Sequence, residues 1–222
     1  MTGLFITGTD TNIGKTTVSA ALFHRYRQTV KLCYWKPVQT GFPEDDDTAT
    51  VWTLGHCSEH EICRDGVRLA LPLSPHLSAQ YSGQEIDTVR LVQAKRADNG
   101  CAWIVEGAGG VLVPLNKHQF MIDLIATLTL PTLIVARSQL GTINHTLLTL
   151  GALRSRAIPV IGVLLCGEPN ADNRGSIETY GNIPVLGEMP LFPALTSETL
   201  AAWSRDHLDR EGHIRQVFRE VV

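Results

Sequence analysis

The sequence predicts an α/β fold, a mostly parallel sheet with helices on both faces. Two observations lead there. Apolar runs alternate with helix-period segments almost throughout the chain, and the first such unit reads strand, loop, helix. Leu4–Thr7 is a short apolar run of the kind that makes a buried strand, and Gly8 lets the chain turn out of it. Val18, Leu22 and Tyr26 then recur at helical spacing within a helix predicted over Lys15–Gln28. Further strands are predicted at Lys31–Lys36, Ala102–Glu106, Thr132–Ala136, Val160–Cys166 and Val185–Glu188. Helices are predicted between them at Asp87–Ala97, Met121–Leu128, Thr142–Arg156 and Asp172–Tyr180. The acidic, loop-rich stretch 41–84 is the least regular part. No repeat, low-complexity tract or linker divides the chain, so its 222 residues are read as a single domain over 1–222.

Composition narrows the function classes. Hydrophobic content of 44% and charged content of 18% are ordinary for a soluble globular protein. A net charge of −3 with no basic block gives no support to nucleic-acid or membrane binding. Leu4–Ile6 is too short for a signal peptide, and no run is long enough to span a bilayer. The five cysteines, Cys33, Cys57, Cys63, Cys101 and Cys166, are odd in number and irregularly spaced. That pattern fits reduced thiols and a cytoplasmic protein better than a disulfide framework.

The segment between the first strand and helix carries the first chemistry. Gly14-Lys15-Thr16 ends a phosphate-loop pattern whose first glycine position falls on Thr9, with Gly8 one residue early. Backbone N–H groups of Asn12, Ile13, Gly14 and Lys15, continued by Thr16 and Thr17, can point at phosphate oxygens beside a helix N-terminus. Lys15 would neutralise β/γ-phosphate charge, and the Thr16 hydroxyl would ligate Mg²⁺. A plain Thr/Gly turn capping a helix is the competing reading, and the flanks disfavour it.

In a parallel sheet, residues following the strands share one edge, where ligands gather. Lys36-Pro37-Val38-Gln39-Thr40-Gly41 follows the second predicted strand, and Glu106-Gly107-Ala108-Gly109-Gly110 follows the run Trp103-Ile104-Val105. A carboxylate ending an apolar strand opposite a phosphate loop is placed to hold Mg²⁺, so Glu106 is a candidate ligand. Lys36 is equally readable as a solvated flank, and spacing leaves both open. Glu44-Asp45-Asp46-Asp47 is a solvated loop by default, yet one of its carboxylates could complete the metal site. The cluster His56, Cys57, His60 and Cys63 lies within one short segment, unlike the two separated ligand pairs of structural zinc sites. Thr142-Ile143-Asn144-His145 opens a helix whose free N–H groups could receive a carboxylate, with simple N-capping by Thr142 as the plainer reading.

With these residues in view, the chain resembles the dethiobiotin synthetases, ATP-dependent ligases of biotin biosynthesis. Gly8-Thr9-Asp10-Thr11 before Gly14-Lys15-Thr16 is similar to that family's variant phosphate loop. Lys36-Pro37-Val38-Gln39-Thr40-Gly41, Ser74-Pro75-His76-Leu77-Ser78-Ala79, Val105-Glu106-Gly107-Ala108-Gly109-Gly110, Leu140-Gly141-Thr142-Ile143-Asn144-His145 and Leu186-Gly187-Glu188-Met189-Pro190 follow in family order. The resemblance implies a P-loop NTPase-like fold with ATP as co-substrate and Mg²⁺ as cofactor. It implies a reaction in which CO₂ adds to one amine of 7,8-diaminopelargonate. The carbamate then attacks the γ-phosphate, and the second amine closes a ureido ring with loss of phosphate. It implies that Thr16, Asp47 and Glu106 hold the metal, with Asp46 a rival for Asp47. Lys15 and Lys36 would neutralise the transferring phosphoryl and carbamate, and Thr11 and Thr40 would contact diamine and carbamate. Gly109 would lie beside the nucleotide. Leu140, Gly141, Thr142, Ile143 and Asn144 would hold the substrate carboxylate of the partner subunit in a homodimer. Two positions depart from the family: Cys166 stands where an asparagine often reads adenine, and Asn12 where an acidic residue is frequent.

Two other classes share the loop. An amide-forming synthetase of the cobyric acid type needs a glutaminase domain, for which a chain ending at Val222 is expected to leave no room. A switch ATPase of the partitioning type carries a second lysine near the start of the loop, where this chain has Asp10 and Thr11.

Overall fold

A computed structural model describes residues 1–93 and 100–219. Strands β1 (Gly3–Gly8), β2 (Leu32–Trp35), β4 (Ile62–Cys63), β6 (Ala102–Gly110), β7 (Thr132–Arg137), β8 (Val160–Cys166) and β9 (Val185–Met189) form one seven-stranded sheet. Its order is β4-β2-β6-β1-β7-β8-β9, and every pairing is parallel. A separate parallel pair joins β3 (Val38–Thr40) to β5 (Val67–Leu69). The helices are α1 (Lys15–Tyr26), α2 (Asp47–Leu54), α3 (Pro75–Tyr81), α4 (Thr88–Gln93), α5 (Met121–Leu128), α6 (Thr142–Ser155), α7 (Ala171–Gly181), α8 (Ser197–His207) and α9 (His213–Arg219).

Strand periodicity divides the core between the two faces. Leu4 and Ile6 of β1, Leu32 and Tyr34 of β2, and Ile104 of β6 pack with Val18, Leu22 and Phe23 of α1 and with Leu200 and Phe218. The alternate residues Phe5, Cys33, Trp35, Trp103 and Val105 pack on the other face with Leu124, Leu150 and Ile177. Because both faces are covered, the strands are apolar throughout instead of alternating. The outer strand β9 is protected at its free edge. Arg174 donates to the Val185 carbonyl, the Val185 N–H donates to Glu178, and Asp209 N–H and Trp203 Nε1 donate to the Leu186 and Glu188 carbonyls.

All the strands expected from sequence are present, and β6 runs on through the glycines to Gly110. The helix expected over Asp87–Ala97 is described from Thr88 to Gln93, and 94–97 lie outside the described residues. The irregular stretch 41–84 contains ordered pieces: α2, a 3-10 turn at Glu59–Glu61, β4, β5 and α3. Each is too short to show a period of its own.

The order of strands positions the chemistry. From β1 the chain crosses to β2 on one side, returns to β6 beside β1, and then continues to β7 on the other side. The switch in direction therefore falls at β1, and the crevice beyond its carboxyl end is where a ligand fits.

Candidate active site

The loop after β1 leads directly into α1. Gly14 is the N-cap at φ 99°, a left-handed conformation that suits glycine, and no side chain caps the helix. The first N–H groups of α1 are thus left facing the crevice, with the favourable end of the helix dipole behind them. Asn12 also has positive φ, 52°, which asparagine tolerates far better than most residues. Lys15 is buried and donates from Nζ to the Asp10 carbonyl at 2.7 Å. Burial, followed by the nearby Lys36 ammonium, lowers its pKa to about 8. Asp10 is itself held by Arg137 at 2.8 Å and accepts from Thr11 N–H at 2.7 Å.

Register brings the second group of residues to the same place. Tyr34 pairs with Ile104 and Ile6 pairs with Glu106. Side chains two apart share a face, so Tyr34, Lys36, Ile104 and Glu106 all point toward α1. Glu106 is completely buried there, and Lys36 is 3% exposed, so this lysine is no solvated flank. Lys36 Nζ lies 2.9 Å from Glu106 Oε1 and 2.5 Å from Asp47 Oδ2. Burial alone would lower the Lys36 pKa, but the Glu106 and Asp47 carboxylates outweigh it and raise the pKa. For Asp47 the burial effect is upward, and the Lys36 charge overturns it to leave the pKa lowered. Thr16 Oγ1 donates to Asp47 Oδ1 at 2.8 Å and to Glu106 Oε1 at 2.9 Å. A hydroxyl and two carboxylates converging this closely form a hard oxygen set, the donor chemistry that suits Mg²⁺. Asp46, by contrast, turns away and caps α2 through Ala49 N–H at 3.0 Å.

These groups line a cavity of about 540 Å³. Thr11, Asn12, Ile13, Gly14, Lys15, Thr16, Lys36, Thr40, Asp47, Glu106 and Gly109 all border it. Sequence reasoning did not single out Gln39, Asp45 or the turn Pro72–Pro75, which border it too. Gln39 ties the acidic loop down, donating to the carbonyls of Thr40 at 2.8 Å and Asp45 at 2.6 Å. Ser74-Pro75-His76-Leu77-Ser78-Ala79, which opens α3, was the available signal for that turn.

Other candidates lie elsewhere. Thr17 and Cys166 do not border this cavity. A Cβ built on Gly14 would come within 3.0 Å of Cys166 Sγ, so the thiol backs the phosphate loop. Burial pushes that thiol up to about 12. Leu140–Asn144 are also outside the cavity, at the turn from β7 into α6. There the plainer expectation is corrected: Gly141, at φ 94°, is the N-cap, and Thr142 is buried behind it with Oγ1 unpartnered. Among the described residues no three His, Cys, Asp or Glu side chains gather as a metal cluster, so His56, Cys57, His60 and Cys63 form no such site. A larger groove, about 890 Å³, follows the edge of β9 between residues of both charges, and no phosphate-loop residue borders it.

Known proteins share both sequence and fold with this chain. A family model described as an AAA domain matches residues 2–199. The ATP-dependent dethiobiotin synthetase BioD of Paramagnetospirillum magneticum is 45% identical over 201 residues, which are 90% of this chain and 94% of that protein. The enzyme of the same name from Brucella ovis is 45% identical over 197 residues, covering 89% of this chain and 90% of its own. The biotin biosynthesis bifunctional protein BioCD of Bordetella avium is 43% identical over 204 residues, covering 91% of this chain but 42% of that longer protein. Among solved structures, a ParA family ATPase from Chlorobium tepidum superposes with a TM-score of 0.57 at 12% identity, over 93% of this chain and all of the other. The MinD cell division protein of Aquifex aeolicus gives 0.54 at 14% identity, over 99% and 96%. At such identities the two ATPases report the fold alone.

Proposed function

The chain belongs to the ATP-dependent dethiobiotin synthetase family, and from that premise we propose how its cavity closes a cyclic urea. The substrates are 7,8-diaminopelargonate, CO₂ and ATP, and the products are dethiobiotin, ADP and phosphate. The observation that carries the reading is the position of Lys36, whose ammonium stands with two carboxylates in one cavity with the phosphate loop.

One amine adds to CO₂ and loses a proton, leaving a carbamate. Thr11 and Thr40, which both border the cavity, would orient diamine and carbamate by hydrogen bonds. The carbamate oxygen then attacks the γ-phosphorus and ADP leaves. Both reactants are anionic, so their approach is opposed until a cation stands between them; Lys36 and Lys15, both buried, supply that charge. The second amine finally attacks the carbonyl carbon and expels phosphate. Thr16, Asp47 and Glu106 would hold Mg²⁺, which when bound spreads the charge of the β- and γ-phosphates.

A homodimer fits the surface around this cavity. Leu112, Leu148 and Leu140 are 62%, 65% and 101% exposed. Leu112 and Leu148 border a shallow hollow of about 320 Å³ with His145 and Thr11. Thr11 borders the cavity as well, so a second copy seated on this face would bring residues 140–144 near the diamine. Among the described residues no helix is long and apolar enough to cross a membrane. We place the protein in the cytoplasm because its five cysteines form no disulfide.

The test is a single incubation of protein, 7,8-diaminopelargonate, bicarbonate and MgATP, with product read by mass spectrometry. A cyclic urea formed together with ADP supports the reading. Equal ADP release without the diamine would replace it with a switch ATPase.

A further inference from the structure

Glu106 uses its two oxygens differently. Oε1 receives Thr16 Oγ1 at 2.9 Å and Lys36 Nζ at 2.9 Å. Oε2 turns inward and receives two other hydroxyls, Ser19 Oγ at 2.7 Å and Tyr34 Oη at 3.0 Å. All of these groups except Thr16 are buried, and Tyr34, Ser19 and Glu106 have no measurable exposure.

Elementary chemistry fixes the direction of these bonds. A carboxylate only accepts, so the Tyr34 hydroxyl donates to Oε2, while Ser19 Oγ, also 3.0 Å from the Lys15 carbonyl, shares its one proton between that carbonyl and the nearer Oε2. A phenol, with an ordinary pKa of about 10, carries its proton at neutral pH and has it to donate. The terminal torsion of a glutamate is soft and roughly two-fold, so an unrestrained Glu106 could present either oxygen at a range of angles. Two donors on Oε2 remove that freedom. Ser19 lies one helical turn after Lys15 on α1, and Tyr34 lies two residues before Lys36 on β2. Each therefore comes from an element that also delivers a charged group to the cavity.

We propose that Tyr34, assisted by Ser19, is a positioning residue that pins Glu106 Oε2 so that Oε1 is presented to the metal. This rests on the reading of Thr16, Asp47 and Glu106 as the Mg²⁺ ligands. Neither hydroxyl borders the cavity, so neither touches nucleotide or diamine. Their effect is confined to metal affinity and to steps that depend on it.

The experiment measures ADP affinity by calorimetry, once in EDTA and once with saturating Mn²⁺; the ratio isolates what the protein's own ligands add. The variants are Tyr34→Phe, Ser19→Ala and Glu106→Gln. In the wild type Mn²⁺ should tighten ADP binding. Tyr34→Phe should lower that gain by about tenfold, the low end of the range found for groups that orient metal ligands, and leave ADP affinity in EDTA unchanged. Added to Glu106→Gln, Tyr34→Phe should have no further effect, because it acts through Glu106. A Tyr34→Phe protein that melts earlier yet keeps the full Mn²⁺ gain would overturn the proposal and leave Tyr34 as packing. An equal additional loss in the Glu106→Gln background would overturn it too. If Tyr34→Phe does not fold, Ser19→Ala carries the same comparison, and an unchanged gain there overturns the clamp. A wild type with no Mn²⁺ gain at all would instead remove the metal reading, and the proposal with it.

Discussion

At the scale of single residues, the site is governed by where three side chains meet low dielectric. Lys36 is buried between Glu106 and Asp47, and in the proposed mechanism its charge would act where carbamate and γ-phosphate approach. Stabilisation concentrated there lowers the barrier more than it tightens nucleotide binding. Lys36→Gln should reduce kcat by about a hundredfold or more, roughly 2.7 kcal/mol, with ATP affinity changed only a few-fold. Equilibrium ATP binding and saturated turnover on one preparation separate the two effects. Lys15, lowered to about 8, gives a pH signature. Phosphate binding favours its charged form and raises that pKa again, so a proton is taken up on binding near pH 8. At lower pH the lysine is already charged and affinity is flat. As pH rises through 8, ATP affinity should weaken, by up to about tenfold per unit. Calorimetry across that range checks it, and Lys15→Met should remove the slope. Cys166 is a weak hydrogen-bonding group that backs Gly14, and if the base binds there as the family resemblance implies, it would find no amide reader. The ratios of kcat/KM for ATP, CTP and GTP should stay below about a hundredfold, roughly 2.7 kcal/mol.

At the scale of elements, α2 decides between adjacent carboxylates. A helix beginning at Asp47 makes Asp46 its N-cap, and the cap accepts from Ala49 N–H. Asp47, one position on, turns across to Thr16 and Lys36. Asp46→Asn preserves a good cap and should leave both stability and activity nearly unchanged, whereas Asp46→Ala should cost about 1 kcal/mol of stability. Neither should alter the Mg²⁺ concentration needed for half-maximal turnover. Asp47→Asn should raise that concentration severely with little change in melting temperature. Thermal melts and Mg²⁺ titrations of the three variants form the test, and the reverse pattern would move the metal ligand to Asp46.

At the scale of the whole molecule, the seven-stranded parallel sheet gathers its loops on one edge and leaves an apolar face beside them. Leu148 lies on the exposed side of α6 and projects from the hollow that shares Thr11 with the cavity. A second copy covering this face would bury it. Leu148→Asp should then yield monomers by sedimentation, at unchanged melting cooperativity, because it sits outside the core. Turnover should fall with the loss of dimer, since residues 140–144 lie outside the cavity of their own chain. A monomeric variant with full activity would place the carboxylate contact within one subunit.

The sequence by itself determined six of the seven strands of the main sheet, all but β4, the helices α1, α5, α6 and α7, and the phosphate-loop pattern, and it offered Glu106 as a candidate. Those are local signals: an apolar run has its own length, a helix its own period, and Gly14-Lys15-Thr16 its own spacing. It also carried the family motifs, from Lys36 to the turn before α3. What it left open was decided by register. Lys36 was readable as a solvated flank until pairing of β2 with β6 set it against Glu106, 70 residues away. Asp46 stayed a rival of Asp47, which the family resemblance favoured, until α2 began between them, in a stretch too short to show any period. Tyr34 and Ser19 had no sequence signal, because their importance lies in a carboxylate 72 and 87 residues distant. A one-residue slip of β2 would turn Tyr34 and Lys36 to the opposite face. Tertiary structure alone selects that face, because the cores on its two sides must both be filled.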